Sequence, residues 1–154
     1  MERKGIIICV DDEKTVLDTL KEQLDAHFGG THNVLVANSA EEGMSLVKTI
    51  TEDEEDIIEL IITDQVMPGM KGDEFLREVH KILPDTIKIL LTGHAGLGSA
   101  INAINYGGLS RYIEKPWNID ELKDDIQALI DQFREKIENQ YLINNLEARI
   151  RELE

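Results

Sequence analysis

Cysteine, positive charge and long apolar runs are all scarce in this 154-residue sequence. The single cysteine, Cys9, excludes a disulfide within one chain, and its place inside an apolar run predicts a small core residue. The 16 Lys and Arg residues against 31 Asp and Glu give a net charge of −15, which argues against nonspecific nucleic-acid binding and against docking on an anionic membrane. No apolar run approaches the length of about 20 residues that a transmembrane helix needs.

A signal peptide is also missing from the start of the sequence. Met1–Lys4 leads directly into an apolar strand, without the apolar segment and cleavage site of a secreted precursor. We therefore expect a cytoplasmic protein with one domain of ordinary size and an appendage.

Short apolar runs alternate with segments of helical periodicity along the chain. Ser39 and Glu42 form a predicted capping box at the start of the second helix. The predicted strands are Gly5–Val10, His32–Ala37, Ile57–Thr63, Thr86–Leu91 and Arg111–Glu114. The predicted helices lie near Glu13–Phe28, from Ser39 to about Ile50, from Gly72 to before Pro84, near Gly98–Tyr106, and from Asn118 onward. Five such β–α units predict an α/β fold, with a doubly wound parallel sheet covered by helices on both faces.

Polar residues follow the strands at the edge where ligands bind in such sheets. Asp11 and Asp12 follow the first strand, Asp64 the third, Thr92 the fourth and Lys115 the fifth. Three carboxylates this close repel one another unless a cation joins them, and hard carboxylate oxygens suit Mg²⁺. A magnesium-loaded aspartate at a strand end is a ready acceptor for a phosphoryl group.

Each of these residues has a simpler interpretation when it is taken alone. Asp11 and Asp12 could cap a helix, and Asp64 could be a turn residue. Thr92 could be a strand-end hydroxyl, and Lys115 a surface charge. Their joint position at strand ends favours a shared site.

Four motifs carry a resemblance to a known family. They are Cys9-Val10-Asp11-Asp12-Glu13, Thr63–Gly72, Leu91-Thr92-Gly93 and Glu114-Lys115-Pro116-Trp117. In this order and spacing, they resemble the receiver domain of two-component response regulators over roughly residues 4–132. The resemblance implies a flavodoxin-like five-stranded sheet in the order 2-1-3-4-5.

The resemblance also implies a metal site and a phosphoacceptor. Asp64 matches the residue that becomes an acyl phosphate, here an aspartyl phosphate. Asp12, Asp64 and the backbone carbonyl of Val66 would bind Mg²⁺ directly, and Asp11 would act mostly through a coordinated water.

The remaining matched residues would bind and report the phosphoryl group. Lys115 would pair with one phosphoryl oxygen as a point charge, and Thr92 would donate its hydroxyl to another. The Lys115–Pro116 bond is cis in the family. Tyr112 resembles the aromatic switch residue, which rotates inward when a phosphoryl group draws Thr92 toward it. The alternative for Tyr112 is a half-exposed strand aromatic.

Two functions from different classes are compatible with a strand-end aspartate. In the first, the chain is a switching module and not an enzyme. A sensor histidine kinase or phosphotransfer protein phosphorylates Asp64, and the output switches through the fourth helix, the fifth strand and the start of the last helix. The alternative is a Mg²⁺-dependent phosphohydrolase of the haloacid dehalogenase type. That family expects Asp-x-Asp after its first strand, whereas here Asp11 and Asp12 are adjacent and Asp64 follows the third.

The C-terminal sequence is compatible with a helix from Asn118 to Glu154, without Gly or Pro. Apolar residues continue beyond the part needed to cover the sheet, which predicts a coiled coil and a homodimer. They are Ile137, Tyr141, Ile143, Leu146, Ile150 and Leu153, interrupted by Asn139, Asn144 and Asn145. A solvent-exposed, partly frayed helix is the alternative. We expect a receiver domain at residues 1–132 and a linker at 133–154, leading to an output domain after Glu154.

Overall fold

A computed structural model describes residues 4–53, 55–93, 102, 104 and 106–153 of the chain. Five parallel strands form one sheet in the order β2-β1-β3-β4-β5, which confirms the predicted fold and strand order. The strands are β1 (Gly5–Val10), β2 (His32–Ala37), β3 (Ile58–Thr63), β4 (Ile87–Thr92) and β5 (Arg111–Glu114).

Helices cover the sheet on both faces. Three of them are α1 (Lys14–Phe28), α2 (Ala40–Glu52) and α3 (Gly72–Ile82), and the last is the C-terminal helix (Ile119–Leu153). The predicted helix near Gly98–Tyr106 lies mostly outside the described residues, although Asn102, Ile104 and Tyr106 have helical backbone. None of the described helices is long and apolar enough to cross a membrane.

The core forms two apolar layers, one on each side of the sheet. Every residue of β1, β3 and β4 is buried, because these strands lie inside the sheet with helices above and below them. One layer includes Leu20 of α1 and Ile126 of the C-terminal helix, and the other includes Val47 of α2 and Phe75 of α3. The sheet therefore holds all strand carboxyl ends at one rigid edge.

Some predicted boundaries move by one or two residues. Thr86 precedes β4, whose pairing with β3 begins at Ile87, and the Thr86 hydroxyl donates to the carbonyl oxygen of Ile58 at 2.8 Å. Thr92 is the last residue of β4, where it pairs with Glu114 of β5.

The predicted cap of α2 forms with one change. The Ser39 hydroxyl accepts a hydrogen bond from the Glu42 N–H at 3.1 Å. The Glu42 carboxylate accepts from the N–H of Asn38 at 3.3 Å, one residue before the Ser39 N–H of a standard capping box.

The C-terminal helix has a docked part and an exposed part. Leu122, Ile126, Ile130 and Phe133 are buried against the sheet layer. Every residue from 134 to 153 is exposed. Phe133 is therefore the last buried residue of the helix, although a few exposed residues after it still contact the domain.

Candidate functional site

Backbone hydrogen bonds between neighbouring strands fix the two buried carboxylates of the site. The Asp11 N–H donates to the Ala37 carbonyl at 3.2 Å, and the Asp64 N–H donates to the Val10 carbonyl at 2.9 Å. Asp11 and Asp64 therefore directly extend the parallel ladder of β2, β1 and β3.

The structure brings together the three predicted carboxylates. One oxygen from each of Asp11, Asp12 and Asp64 lies within 4.8 Å of the other two. Asp11 and Asp64 are buried, while Asp12 is exposed. An all-oxygen, all-anionic donor set with one side open to water fits a hard divalent cation such as Mg²⁺.

Lys115 lies between the two buried carboxylates. Its Nζ is 2.8 Å from Asp11 Oδ2 and 3.5 Å from Asp64 Oδ1. Burial alone would lower the pKa of Lys115, but the hydrogen bond to Asp11 and the charges of Asp11 and Asp64 raise it overall. The lysine therefore stays protonated and supplies a fixed positive charge.

The charged form of Asp64 is disfavoured where it lies. Its burial, followed by the negative charge of Asp11, raises its pKa above the ordinary value, and Lys115 only partly opposes this. A buried anion that is incompletely compensated gains from an added cation.

The loop after β3 makes a close approach to Asp64. A Cβ at Gly72 would collide with the Asp64 carbonyl oxygen, so only glycine fits where α3 begins. Gly69 has φ +81°, a conformation that also favours glycine. Val66, whose carbonyl is the implied third metal ligand, lies in this loop with its side chain exposed.

The predicted switch residues lie on adjacent strands. Thr92 is buried at the end of β4, and its carbonyl accepts the Lys115 N–H at 2.9 Å. Tyr112 is half-buried on β5, opposite Leu90, and packs against the core layer of α2 and α3. The Lys115–Pro116 peptide bond is cis, as the resemblance implied.

The comparison with protein families decides the identity of this arrangement. The model of the response regulator receiver domain matches residues 7–127. The chain belongs to this family. The receiver domain is a phosphoacceptor unit of two-component signalling, and the haloacid dehalogenase alternative is not favoured.

The chain is also similar in sequence to individual transcriptional regulators. The hydrogenase transcriptional regulatory protein HoxA of Cupriavidus necator is 32% identical over 130 residues, or 84% of this chain. The DNA-binding transcriptional regulator NtrC of Escherichia coli is 27% identical over 134 residues, or 87%. The chain spans only 25% of the length of that HoxA protein and 26% of that NtrC protein.

Solved receiver domains share the fold. A CheY-like response regulator receiver domain protein from Methanospirillum hungatei JF-1 has a TM-score of 0.75 and 30% identity, and covers 87% of this chain and 99% of its own. A receiver domain protein from Clostridium thermocellum has a TM-score of 0.71 and 35% identity, with coverages of 86% and 98%. Receiver domains bind Mg²⁺ at an acidic cluster, which Asp11, Asp12 and Asp64 form here, and they are generally not enzymes.

The sequence analysis missed one connection in the site. Gln65 and Asp73 exchange two hydrogen bonds across the loop that follows β3. The available signals were a polar residue directly after Asp64 and an acid in the first turn of α3. No local pattern links them.

Proposed function

We propose that Asp64 accepts one phosphoryl group from a sensor histidine kinase or a phosphotransfer protein. The observation that supports this most directly is the placement of Asp64, buried beside two further carboxylates and 3.5 Å from the Lys115 ammonium. A carboxylate held this way can act as a nucleophile, and the Lys115 ammonium next to it can bind the incoming phosphoryl group.

The residues of the site have separate tasks in the transfer. An Asp64 carboxylate oxygen attacks phosphorus, the bond from phosphorus to the donor breaks, and the donor leaves with that electron pair. Lys115 can move from Asp11 to a phosphoryl oxygen, and the Thr92 hydroxyl donates to another.

Asp12, Asp64 and the Val66 carbonyl would hold Mg²⁺ directly, with Asp11 acting through a coordinated water. When bound, Mg²⁺ neutralises the charge that develops on the phosphoryl oxygens. Asp11 keeps a second task, because its Oδ1 accepts the N–H of Glu13 at 2.9 Å and so fixes the start of α1.

Thr92 and Tyr112 form the proposed switch. Movement of Thr92 toward a phosphoryl group frees space at the end of β4, and the neighbouring Tyr112 ring turns inward to fill it. The change alters the face made by the fourth helix, β5 and the start of the C-terminal helix. A phosphoryl group can shift the equilibrium between the two positions of Thr92 and Tyr112 only if it interacts more favourably with one state than with the other.

A phosphodonor assay tests the proposed function against hydrolysis. Incubation with Mg²⁺ and acetyl phosphate should add one phosphoryl group per chain, which hydroxylamine removes as it does from acyl phosphates. Fluoroberyllate, a phosphoryl mimic, should bind only with Mg²⁺. Continuous turnover of simple phosphate esters would instead favour a phosphohydrolase, which also forms an aspartyl phosphate but hydrolyses it in every cycle.

The exposed part of the C-terminal helix carries apolar residues on two sides. At 100° per residue, Ile137 and Tyr141 continue the side of Ile130 and Phe133, whereas a second set points roughly 160° away. Ile137 and Tyr141 line a cavity of about 400 Å³ against the amino edge of the sheet, so their own domain partly covers them. The second set contains Ile143, Leu146, Ile150 and Leu153, which are 49–88% exposed.

We propose that this second set forms a parallel homodimeric coiled coil. Ile143 and Ile150 occupy the a positions of two heptads, and Leu146 and Leu153 occupy the d positions. Ile at a with Leu at d favours two parallel strands. The receiver domain at residues 1–132 is thus joined by a linker at 133–154 to an output domain, as the greater length of the HoxA and NtrC relatives supports. For the whole assembly we propose a cytoplasmic location, without direct nucleic-acid or membrane contact by this segment.

A further inference from the structure

The loop that carries Val66 is closed by hydrogen bonds to a single residue, Gln65. Its side-chain Oε1 accepts the Asp73 N–H at 2.8 Å, and its Nε2 donates to Asp73 Oδ1 at 2.8 Å. Its backbone carbonyl accepts the Gly72 N–H at 3.1 Å. Residues 66–71 therefore form a loop whose two ends are held together by three hydrogen bonds.

Gln65 directly follows the phosphoacceptor in the chain, and its backbone N–H is one of the groups that lower the pKa of the Asp64 carboxyl. The Gln65 side chain is buried, so its amide needs partners for both its donor and its acceptor. Asp73 supplies one of each, which fixes the orientation of the Gln65 backbone between Asp64 and Val66.

We propose that Gln65, held by Asp73, is a positioning residue for the phosphoacceptor site. It fixes the backbone that runs from Asp64 to the Val66 carbonyl. The inference rests on the proposed function, in which both groups bind Mg²⁺. Loss of the pairing leaves Asp64 in place but lets the loop move, so more Mg²⁺ is needed for phosphorylation.

A purely structural role is the competing explanation. The residue at the N-cap of α3, Lys71, makes no side-chain capping bond, so Gln65 also satisfies an N–H at the start of this helix. That role alone predicts lower stability with unchanged Mg²⁺ dependence. Positioning predicts a change in Mg²⁺ dependence that restored pairing reverses.

A set of four variants separates these explanations. Gln65→Met removes both side-chain bonds without adding charge, and Gln65→Glu sets two carboxylates against each other. Asp73→Asn is the matched control, because its side-chain oxygen can still accept from Gln65. The double variant Gln65→Glu/Asp73→Asn can form both bonds again, because the backbone N–H of residue 73 still donates and the bond between the two side chains runs in the opposite direction. It also keeps the wild-type net charge.

Two readouts are needed at constant pH and ionic strength. The first is amide hydrogen exchange of residues 66–73 in metal-free protein, which does not depend on phosphorylation. The second is the Mg²⁺ concentration that gives half-maximal labelling by acetyl phosphate. In Gln65→Met and Gln65→Glu we expect both exchange and the Mg²⁺ requirement to rise by roughly fivefold or more, since roughly fivefold is the effect of losing one net hydrogen bond. Asp73→Asn and the double variant should stay within about twofold of wild type.

The outcomes that overturn the inference are specific. Faster exchange with an unchanged Mg²⁺ requirement makes Gln65 a structural residue only. A double variant no better than Gln65→Glu shows that the pairing is irrelevant. If the wild-type protein takes no phosphoryl group at all, the proposed function fails instead, and unchanged exchange in the variants would separately refute the closed loop.

Discussion

The charged residues of the site differ in how deeply they are buried. Asp11 and Asp64 are buried, Asp12 is exposed, and Lys115 bridges the buried pair. Strand-end positions in the sequence were enough to predict that these residues meet. The closer pairing of Lys115 with Asp11 than with Asp64 was not predicted, because strand-end positions bring side chains to one edge without specifying which of them pair.

Asp12 should matter more for Mg²⁺ affinity than Asp11. Asp12→Asn removes a proposed direct carboxylate ligand, whereas Asp11→Asn removes a water-mediated one and changes the partner of Lys115. We expect the loss of affinity to be larger in Asp12→Asn, by roughly tenfold. Calorimetric titration of Mg²⁺ into both proteins measures this, and equal affinities would refute the assignment.

Asp64→Asn should stabilise the metal-free protein near neutral pH. Burial and the charge of Asp11 raise the pKa of Asp64 in the folded state, so its ionised form opposes folding. Below the ordinary pKa of 3.8 both folded and unfolded chains hold the proton, and the gain disappears. It grows as the pH rises through the folded-state value.

Thermal unfolding without metal provides the measurement for Asp64→Asn. Each gain of about 1 kcal/mol in the free energy of unfolding would raise Tm by roughly 2–5 °C for a chain of this size. The same comparison at pH 3 is the control, where the two Tm values should converge. A lower Tm for Asp64→Asn at pH 7 would contradict the electrostatic account.

Among the structural elements, the C-terminal helix is joined to the sheet by a polar contact as well as by apolar packing. Glu59, buried in β3, lies 3.0 Å from His32 Nε2 and accepts a hydrogen bond from Arg134 Nε at 3.0 Å. Arg134 directly follows Phe133, the last buried residue of the helix. Apolar periodicity in the sequence predicted both β3 and the C-terminal helix. It could not identify Arg134 as the partner of Glu59, the acidic residue inside the otherwise apolar β3.

Arg134→Met should loosen the helix where it leaves the sheet. The change removes the hydrogen bonds that Arg134 Nε donates to both carboxylate oxygens of the buried Glu59. We expect a loss of about 1 kcal/mol in the free energy of unfolding, because the arginine side chain is half exposed. Urea unfolding and hydrogen exchange near residues 130–141 measure it. Lys136→Met is the matched control, since it removes only the exposed ion pair with Asp85 and should have little effect.

His32, Glu59 and Arg134 form a cluster whose contribution to the stability of the fold changes with pH in a predictable direction. Burial would raise the pKa of Glu59, but hydrogen bonds and charge from His32 and Arg134 lower it overall. Its stabilising effect is therefore present above the ordinary value of 4.5 and is lost as the pH falls through the folded-state value. If Arg134→Met costs the same stability at pH 7 and pH 3, the cluster is not the cause.

For the whole molecule, the net charge of −15 opposes association while the exposed apolar residues of the C-terminal helix favour it. Helix placement and the acidic cluster followed from the sequence because periodicity and strand ends are local signals. The strand order is not local and followed only from the resemblance to receiver domains. The division of the helix's apolar residues into two sides became clear only after the structure placed Phe133 as the last buried position.

We expect a modest dimer that weakens at low salt, where repulsion between acidic domains is less screened. Analytical ultracentrifugation of the 154-residue chain should show association, and a chain ending at Arg134 should be monomeric. Leu146→Asn and Ile150→Asn should act like the truncation, while Ile137→Asn, on the other side of the helix, should have a smaller effect. Monomers in all cases at high concentration, with and without fluoroberyllate, would make the tail a simple linker.

The most direct test of the account is the site of phosphorylation. The wild-type protein and the variants Asp64→Asn and Asp73→Asn are incubated with Mg²⁺ and acetyl phosphate and measured by intact-protein mass spectrometry. We predict one phosphoryl group on the wild-type and Asp73→Asn proteins and none on Asp64→Asn. Equal labelling of Asp64→Asn would show that Asp64 is not the phosphoacceptor and would contradict the account at its centre.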